Sequence, residues 1–371
     1  MINNLLGSFG QTLSQIGYIL IAILVLLVMI TVHELGHYLT GKLFKFGIEE
    51  FSIGFGPKLI SKKTKTGEVF SVRLIPLGGF CAFSGEDKES SSPQDFNNQK
   101  PWKRIIVLIS GAIMNYLLAL VLIAVMFGVY GQSALMTGKL VKDDNYVNSF
   151  YERDVILKAD GKNVYMLTDL IAVTEGLKQG DDVEFTVLRD GEVKKIAVTI
   201  RVDTSYDNLE DVDRLYNALG ISFELDENGQ MINPGMYTTG VKFGFFMTIA
   251  RTFEYSFKVA GSIFAVLGQL LSGALGISSV GGTVTVLSVT ANAIKVGGLR
   301  YLLNIASFIG VNLAVFNLLP IPALDGSRVV FTAIEWIRKK PVNRKVEAII
   351  HTVGMILLLF FAVLVDILQL A

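Results

Sequence analysis

The uncharged stretch Ile16 to Val32, IGYILIAILVLLVMITV, runs directly into His33-Glu34-Leu35-Gly36-His37. Because roughly 20 apolar residues cross a bilayer, the stretch predicts a lipid-embedded first helix with a metal motif at its end. Residues four apart share a helix face, so His33 and His37 can aim imidazole nitrogens at one Zn²⁺ while Glu34 lies beside the water that metal holds. The pattern is that of a metalloprotease placed inside or beside a membrane.

The rest of the chain fits a membrane setting. Of its 371 residues, 51% are hydrophobic, and a mean hydropathy of +0.51 is too apolar for a soluble globular protein. Net charge is zero, so nucleic acid is not implied as a partner. The single cysteine, Cys81, excludes an intramolecular disulfide and reads as a small buried hydrophobe. Residues 1 to 15 lack Lys and Arg, and no small-residue cleavage site follows the apolar run, so the first helix is expected to be retained rather than removed as a signal peptide.

Four runs are long and apolar enough to span: Ile16 to Leu39, Ile105 to Tyr130, Tyr301 to Leu319 and Ala348 to Val365. Lys and Arg crowd the links Gly41 to Arg104 and Gly326 to Glu347, against a cation-free N-terminal tail, which makes both links cytoplasmic by the positive-inside rule. The zinc motif then lies near the cytoplasmic face, and Gly131 to Arg300 lies outside. Residues 1–130 therefore form the first two spans with the zinc motif and a cytoplasmic-side β-element. In that element, Ile48 to Leu59 and Glu68 to Phe83 are rich in β-branched and aromatic residues punctuated by Gly and Pro, which suggests short strands with turns or an exposed edge.

Residues 137–203 contain two strand pairs around the helical stretch Leu167 to Leu177, a small α+β or partly open barrel module. Residues 204–300 read as an acidic linker and an amphipathic helix, Phe243 to Leu271. Arg251, Glu254 and Lys258 share one face of that helix, so it is expected to lie at the interface, with a fifth span as the competing reading. Residues 301–371 hold the last two spans.

Two histidines do not complete a catalytic zinc site, which takes three protein ligands and one open position. Thr40 and Leu43 occupy the places where a helix-borne third histidine motif needs Gly and His. At matching depth stand His351, which opens the last span, and Asp325, in Asn317-Leu-Leu-Pro-Ile-Pro-Ala-Leu-Asp-Gly326. Pro320 and Pro322 break the helix there and free backbone groups at membrane depth, which is tolerated where backbone lines a site. Asp325 is favoured over His351 on this ground, and Asp366 falls at the opposite face.

These paired motifs, H-E-L-G-H and N-L-L-P-I-P-A-L-D-G, resemble the site-2 protease family of intramembrane zinc metalloproteases, specifically its bacterial branch with one extracytoplasmic PDZ domain. The resemblance implies that His33, His37 and Asp325 bind zinc, that Glu34 is the general base, and that Asn317 and Pro320 line the substrate site. It also implies that Val69 to Phe80 is a membrane-associated β-element contacting substrate, with Val72 and Leu74 in it. Asn115, in Gly111-Ala-Ile-Met-Asn115, matches a Gly-x-x-x-Asn pattern of the second helix and is counted with the substrate contacts. Departures are Ser327 where relatives carry a second Gly, Gly281-Gly-Thr283, and the lack of a Gly-rich carboxylate loop in the PDZ region, which leaves exclusion of bulky substrates as an alternative to peptide capture.

The expected fold is thus a polytopic α-helical membrane protein of about four transmembrane helices, with a membrane-associated β-hairpin or sheet and an inserted extracytoplasmic PDZ-like α+β domain. The expected activity is zinc-dependent endoproteolysis in the bacterial plasma membrane, acting on single-pass membrane proteins such as anti-sigma factors or on signal-peptide remnants. A substrate helix must unwind locally, and pairing near Val72 to Leu77 is expected to restore its amide bonds. The rival of another class is a non-proteolytic membrane scaffold with inert histidines.

Overall fold

A computed structural model describes residues 2–86, 92–141, 149–205, 212–225, 231–233, 235–276 and 281–370. The chain divides into two compact units, residues 1–123 with 256–371, and residues 124–255.

The first unit opens with α1 (Ile2–Leu43). Lys45 at φ 62° ends it, as the Phe46 N–H bonds back to the Gly41 carbonyl at 2.9 Å, the usual left-handed exit of a helix. Two long strands follow, β1 (Ile48–Lys63) and β2 (Val69–Phe83). Their register runs in three tracts: Ile48 to Ile53 against Phe83 to Gly79, Lys58 to Lys63 against Arg73 to Val69, and Glu50 to Ile53 also against Val69 to Val72. Gly54 (φ 86°) and Gly56 (φ 82°) let β1 bend between tracts in a conformation that L side chains rarely adopt. Buried Glu68 ties the sheet to α1 by accepting from Lys42 Nζ at 2.5 Å and Tyr38 Oη at 3.2 Å.

This register narrows one expectation, the edge at Val72 to Leu77, at its first residue. Val72 pairs with both Ile53 and Ile60, so it lies inside the sheet and offers no open backbone edge. Among the described residues, the strand tract with partners on one side only and nearest the histidine helix is Gly79 to Phe83.

α2 (Pro101–Tyr130) is continuous and apolar. The second unit then carries β3 (Gln132–Thr137), β4 (Val155–Ala159), β5 (Lys162–Asn163), α3 (Leu167–Thr174), β6 (Asp182–Arg189), β7 (Glu192–Thr199), α4 (Val212–Leu219), β8 (Glu224–Leu225), β9 (Met231–Asn233) and β10 (Met236–Val241). Its main sheet has the order β10-β3-β4-β6-β7, with β5 on β4. Ile156, Leu170, Phe185, Val187, Leu215 and Leu219 fill its core. Described parts of the stretch after residue 203, where an acidic linker was expected, are folded into this body: α4 buries Leu215, Tyr216, Ala218 and Leu219 on one face, and β10 pairs along the whole of β3. Burial of that apolar face outweighs the local acidic composition.

α5 (Phe245–Ser272), α6 (Thr283–Leu318), α7 (Asp325–Arg338) and α8 (Arg344–Leu370) complete the chain. α6 breaks at Gly298 (φ 58°, ψ −142°), so its second portion matches the span expected from Tyr301. Among the described residues five helices are long and apolar enough to cross a membrane, one more than the four expected, and the fifth is α5. Two of the three charges that argued for an interfacial α5 are internally partnered: Arg251 donates to Gln132 Oε1 at 2.7 Å and Asn163 Oδ1 at 3.1 Å, and Glu254 accepts from Asn163 Nδ2 at 2.6 Å. Paired and hydrogen-bonded charges cost far less in an apolar setting than isolated ones.

Candidate active site

α1 brings His33 and His37 onto one face, and α2 crosses that face closely because two glycines meet there. A Cβ on Gly36 would overlap the Ser110 carbonyl, and one on Gly111 would stand 2.5 Å from His37 Nε2 and 2.7 Å from His33 Cε1. The contact lets α2 supply a backbone acceptor: Val107 O lies 2.8 Å from His37 Nδ1. That bond places a proton on Nδ1 and leaves the Nε2 lone pair facing the site.

The third group arrives from the far end of the chain. After Leu318 the backbone is extended at Leu319 (ψ 145°), passes through Pro320 and Pro322, and turns at Ala323 (φ 78°) before Asp325 opens α7. Gly326 is needed at this start, since a Cβ would collide with the Leu318 and Leu319 carbonyls. Ser327, where a second Gly was expected, fits because its hydroxyl donates to the Leu324 carbonyl at 2.8 Å. Asp325 Oδ2 thereby sits 2.9 Å from His33 Nε2 and 3.3 Å from His37 Nε2.

Ligand atoms of His33, His37 and Asp325 lie within 4.8 Å of one another. Two imidazole nitrogens and one carboxylate, buried and convergent, suit a divalent metal of zinc type, and three protein ligands leave one position open. His33 and Asp325 also line a cavity of about 230 Å³, together with Glu34, Asn115, Leu313, Asn317 and Leu324 among others. The donor set therefore fits zinc.

His351 is not in the cluster. Its Nδ1 accepts the Ala323 N–H at 3.1 Å, so it holds the turn before Asp325. Asp366 lies elsewhere as well, where its Oδ1 accepts the Val284 N–H at 3.1 Å at the start of α6. Of the expected substrate contacts, Asn115 and Asn317 line the cavity. Pro320 is exposed and does not line it, and neither do Val72 and Leu74.

Sequence reasoning missed three contributors. Val107 acts through its carbonyl, which no side-chain motif announces. Gly111 was visible only as the first position of Gly-x-x-x-Asn. The Gly79 to Cys81 tract passes beside Glu34, with Gly79 Cα close enough that an added Cβ would lie 3.4 Å from Glu34 Cγ. Burial, reinforced by the nearby Glu34 and Glu68 carboxylates, pushes the Cys81 thiol well above its ordinary range.

Comparison with known proteins agrees with this chemistry. Residues 21–361 match the model of "Peptidase family M50". A "Putative zinc metalloprotease" of Fusobacterium nucleatum is 33% identical over 355 residues, covering 94% of this chain and 97% of its own. A protein of the same description from Clostridium perfringens is 33% identical over 352 residues, covering 94% and 97%, and one from Clostridium acetobutylicum is 31% identical over 350 residues, covering 94% and 96%. With five helices apolar enough to span among the described residues, and with His33, His37 and Asp325 gathered as a group that could hold a metal, the chain belongs to the M50 family, the zinc-dependent site-2 type membrane proteases.

Proposed function

We propose that this protein cuts transmembrane segments of single-pass membrane proteins, such as anti-sigma factors, or signal-peptide remnants, in regulated intramembrane proteolysis. The observation that carries the reading is the meeting of His33 with Asp325 across 292 residues of sequence, beside Glu34 in one cavity. His33, His37 and Asp325 hold zinc, and Glu34 is the general base. Bound there, zinc supplies Lewis acidity toward a water and the scissile carbonyl. Glu34 takes a proton from the attacking water and delivers it to the leaving amine. Asn317, which lines the same cavity as Glu34, holds substrate there.

An unwound substrate needs partners for its freed amides. Besides the Val72 to Leu77 tract, of which Val72 is paired on both sides, the Gly79 to Cys81 edge lies beside the base and suits strand addition. The crowding of Lys and Arg in residues 41–104 and 326–347 supports a site near the cytoplasmic face of a bacterial plasma membrane. The sheet-bearing part of the second unit, residues 132–241, is then extracytoplasmic, and its small antiparallel sheet with two helices is read as a PDZ-like domain that captures peptide or excludes bulky substrates.

Glu34→Gln tests the assignment. In purified protein with a single-pass substrate it should abolish cleavage and leave about one zinc per chain, because the ligand set is unchanged. Full activity in this variant would remove Glu34 from the mechanism.

A further inference from the structure

The geometry points to Asn115 as a positioning residue that sets the tautomer of His33 and thereby the strength of metal binding, an inference that rests on the zinc assignment above. Asn115 lies on α2 one turn after Gly111, so the same helix face that makes room for the two imidazoles also carries an amide against one of them. It is fully buried. Its Nδ2 lies 3.5 Å from His33 Nδ1, and its Oδ1 is buried with no hydrogen-bond partner among the described residues.

The two histidines are held differently. Val107 O can only accept, so His37 Nδ1 carries a proton, and Nε2 is the nitrogen turned to His33 and Asp325. His33 faces an amide, which can donate or accept. While His33 Nε2 donates to Asp325 Oδ2 across 2.9 Å, Nδ1 must accept, and Asn115 Nδ2 is the donor it meets. Once Nε2 gives its lone pair to zinc, the proton belongs on Nδ1, which then needs an acceptor. A half-turn of the Asn115 amide supplies it: the unpartnered Oδ1 moves to His33, and Nδ2 takes the place Oδ1 held at the cavity wall. Few other side chains of this size serve both tautomers. Asn115 therefore does for His33 what the Val107 carbonyl does for His37, and the Gly-x-x-x-Asn pattern acquires a physical meaning: the glycine admits the ligands and the asparagine orients one of them.

Zinc affinity of the full-length protein in detergent, measured by competition with a chromogenic chelator, tests this in the wild type, Asn115→Leu and Asn115→Asp. Losing an outer partner of a ligating histidine costs roughly 10–100-fold in metal affinity, so the Leu variant should bind that much more weakly. The Asp variant keeps an acceptor for Nδ1–H and should bind at least as tightly as the wild type. A Leu variant with wild-type affinity, or an Asp variant as weak as Leu, overturns the role. Nitrogen-15 histidine spectra of the zinc-loaded wild type need no variant, and with only three histidines the assignment is tractable: His33 should show a protonated Nδ1, and a deprotonated one refutes the inference. If the wild type itself holds no zinc, the metal reading fails first. If it does and only the Asn115 comparison is flat, this inference alone fails.

Discussion

Gly111→Ala is the sharpest probe of how closely α2 must approach the metal ligands. The added methyl would lie 2.5 Å from His37 Nε2, 2.7 Å from His33 Cε1 and 2.8 Å from His33 Nε2. Ordinary carbon contacts with such atoms begin near 3.4 Å, so either the rings or α2 must give way by nearly an ångström. His37 is anchored by the Val107 carbonyl at 2.8 Å, on the same helix as the offending methyl, so moving α2 away stretches that bond and moving the ring breaks it. Metal sites tolerate ligand displacements of about 0.2 Å, and a misplacement of about 1 Å costs on the order of 10²-fold in a catalytic site. Zinc affinity should therefore fall by about 10²-fold or more, with activity at limiting zinc falling in parallel. Helix propensity works the other way, since Ala is about 1 kcal/mol better than Gly in a helix interior, so unfolding of the protein should be little affected. Gly128→Ala, on the same helix with nothing within 4 Å of its added methyl, is the control and should bind zinc normally. Chelator competition on the three proteins decides the matter: equal affinities for wild type and Gly111→Ala would mean that the close approach of α2 does not shape the site.

The buried pair Arg104–Glu335, 2.5 Å apart, fixes α7 and hence Asp325 against the start of α2. Arg104→Met should destabilise by about 3 kcal/mol, the low end for breaking such a pair, because Glu335 keeps Arg344 at 2.9 Å; denaturant unfolding should show part of the loss regained in Arg104→Met/Glu335→Met, and equal losses would assign the effect to packing. For orientation, cysteines at exposed Lys100 and Lys340 should react with an impermeant thiol reagent only from the cytoplasmic side and one at exposed Val193 only from outside; the reverse labelling would overturn the topology.

What could be read from the sequence was whatever a local period encodes. His33 and His37 share a face because four residues make about one helical turn, and the apolar run before them sets their environment. Asp325 was legible as an acidic residue beside helix-breaking prolines, but its apparatus was not. That apparatus consists of a left-handed Ala323, the His351 imidazole accepting one N–H, and Gly326 admitting the end of α6. Such bonds join segments far apart in the chain and leave no spacing to detect. The β-element shows the same limit: alternation in Val72 to Leu77 marks a strand, but alternation cannot say how many neighbours that strand acquires, and the bend at Gly54 and Gly56 gave Val72 two. In α4 the signal was present and outweighed, as Leu215 and Leu219 stand four apart in an acidic segment and both are fully buried. His351 is the most instructive case. A third histidine at the right depth invites a metal, yet ligation needs a free lone pair aimed at the cluster, and the lone pair of its Nδ1 is engaged by the Ala323 N–H. Depth alone therefore does not choose a ligand; the hydrogen-bond demand of the chain around it does.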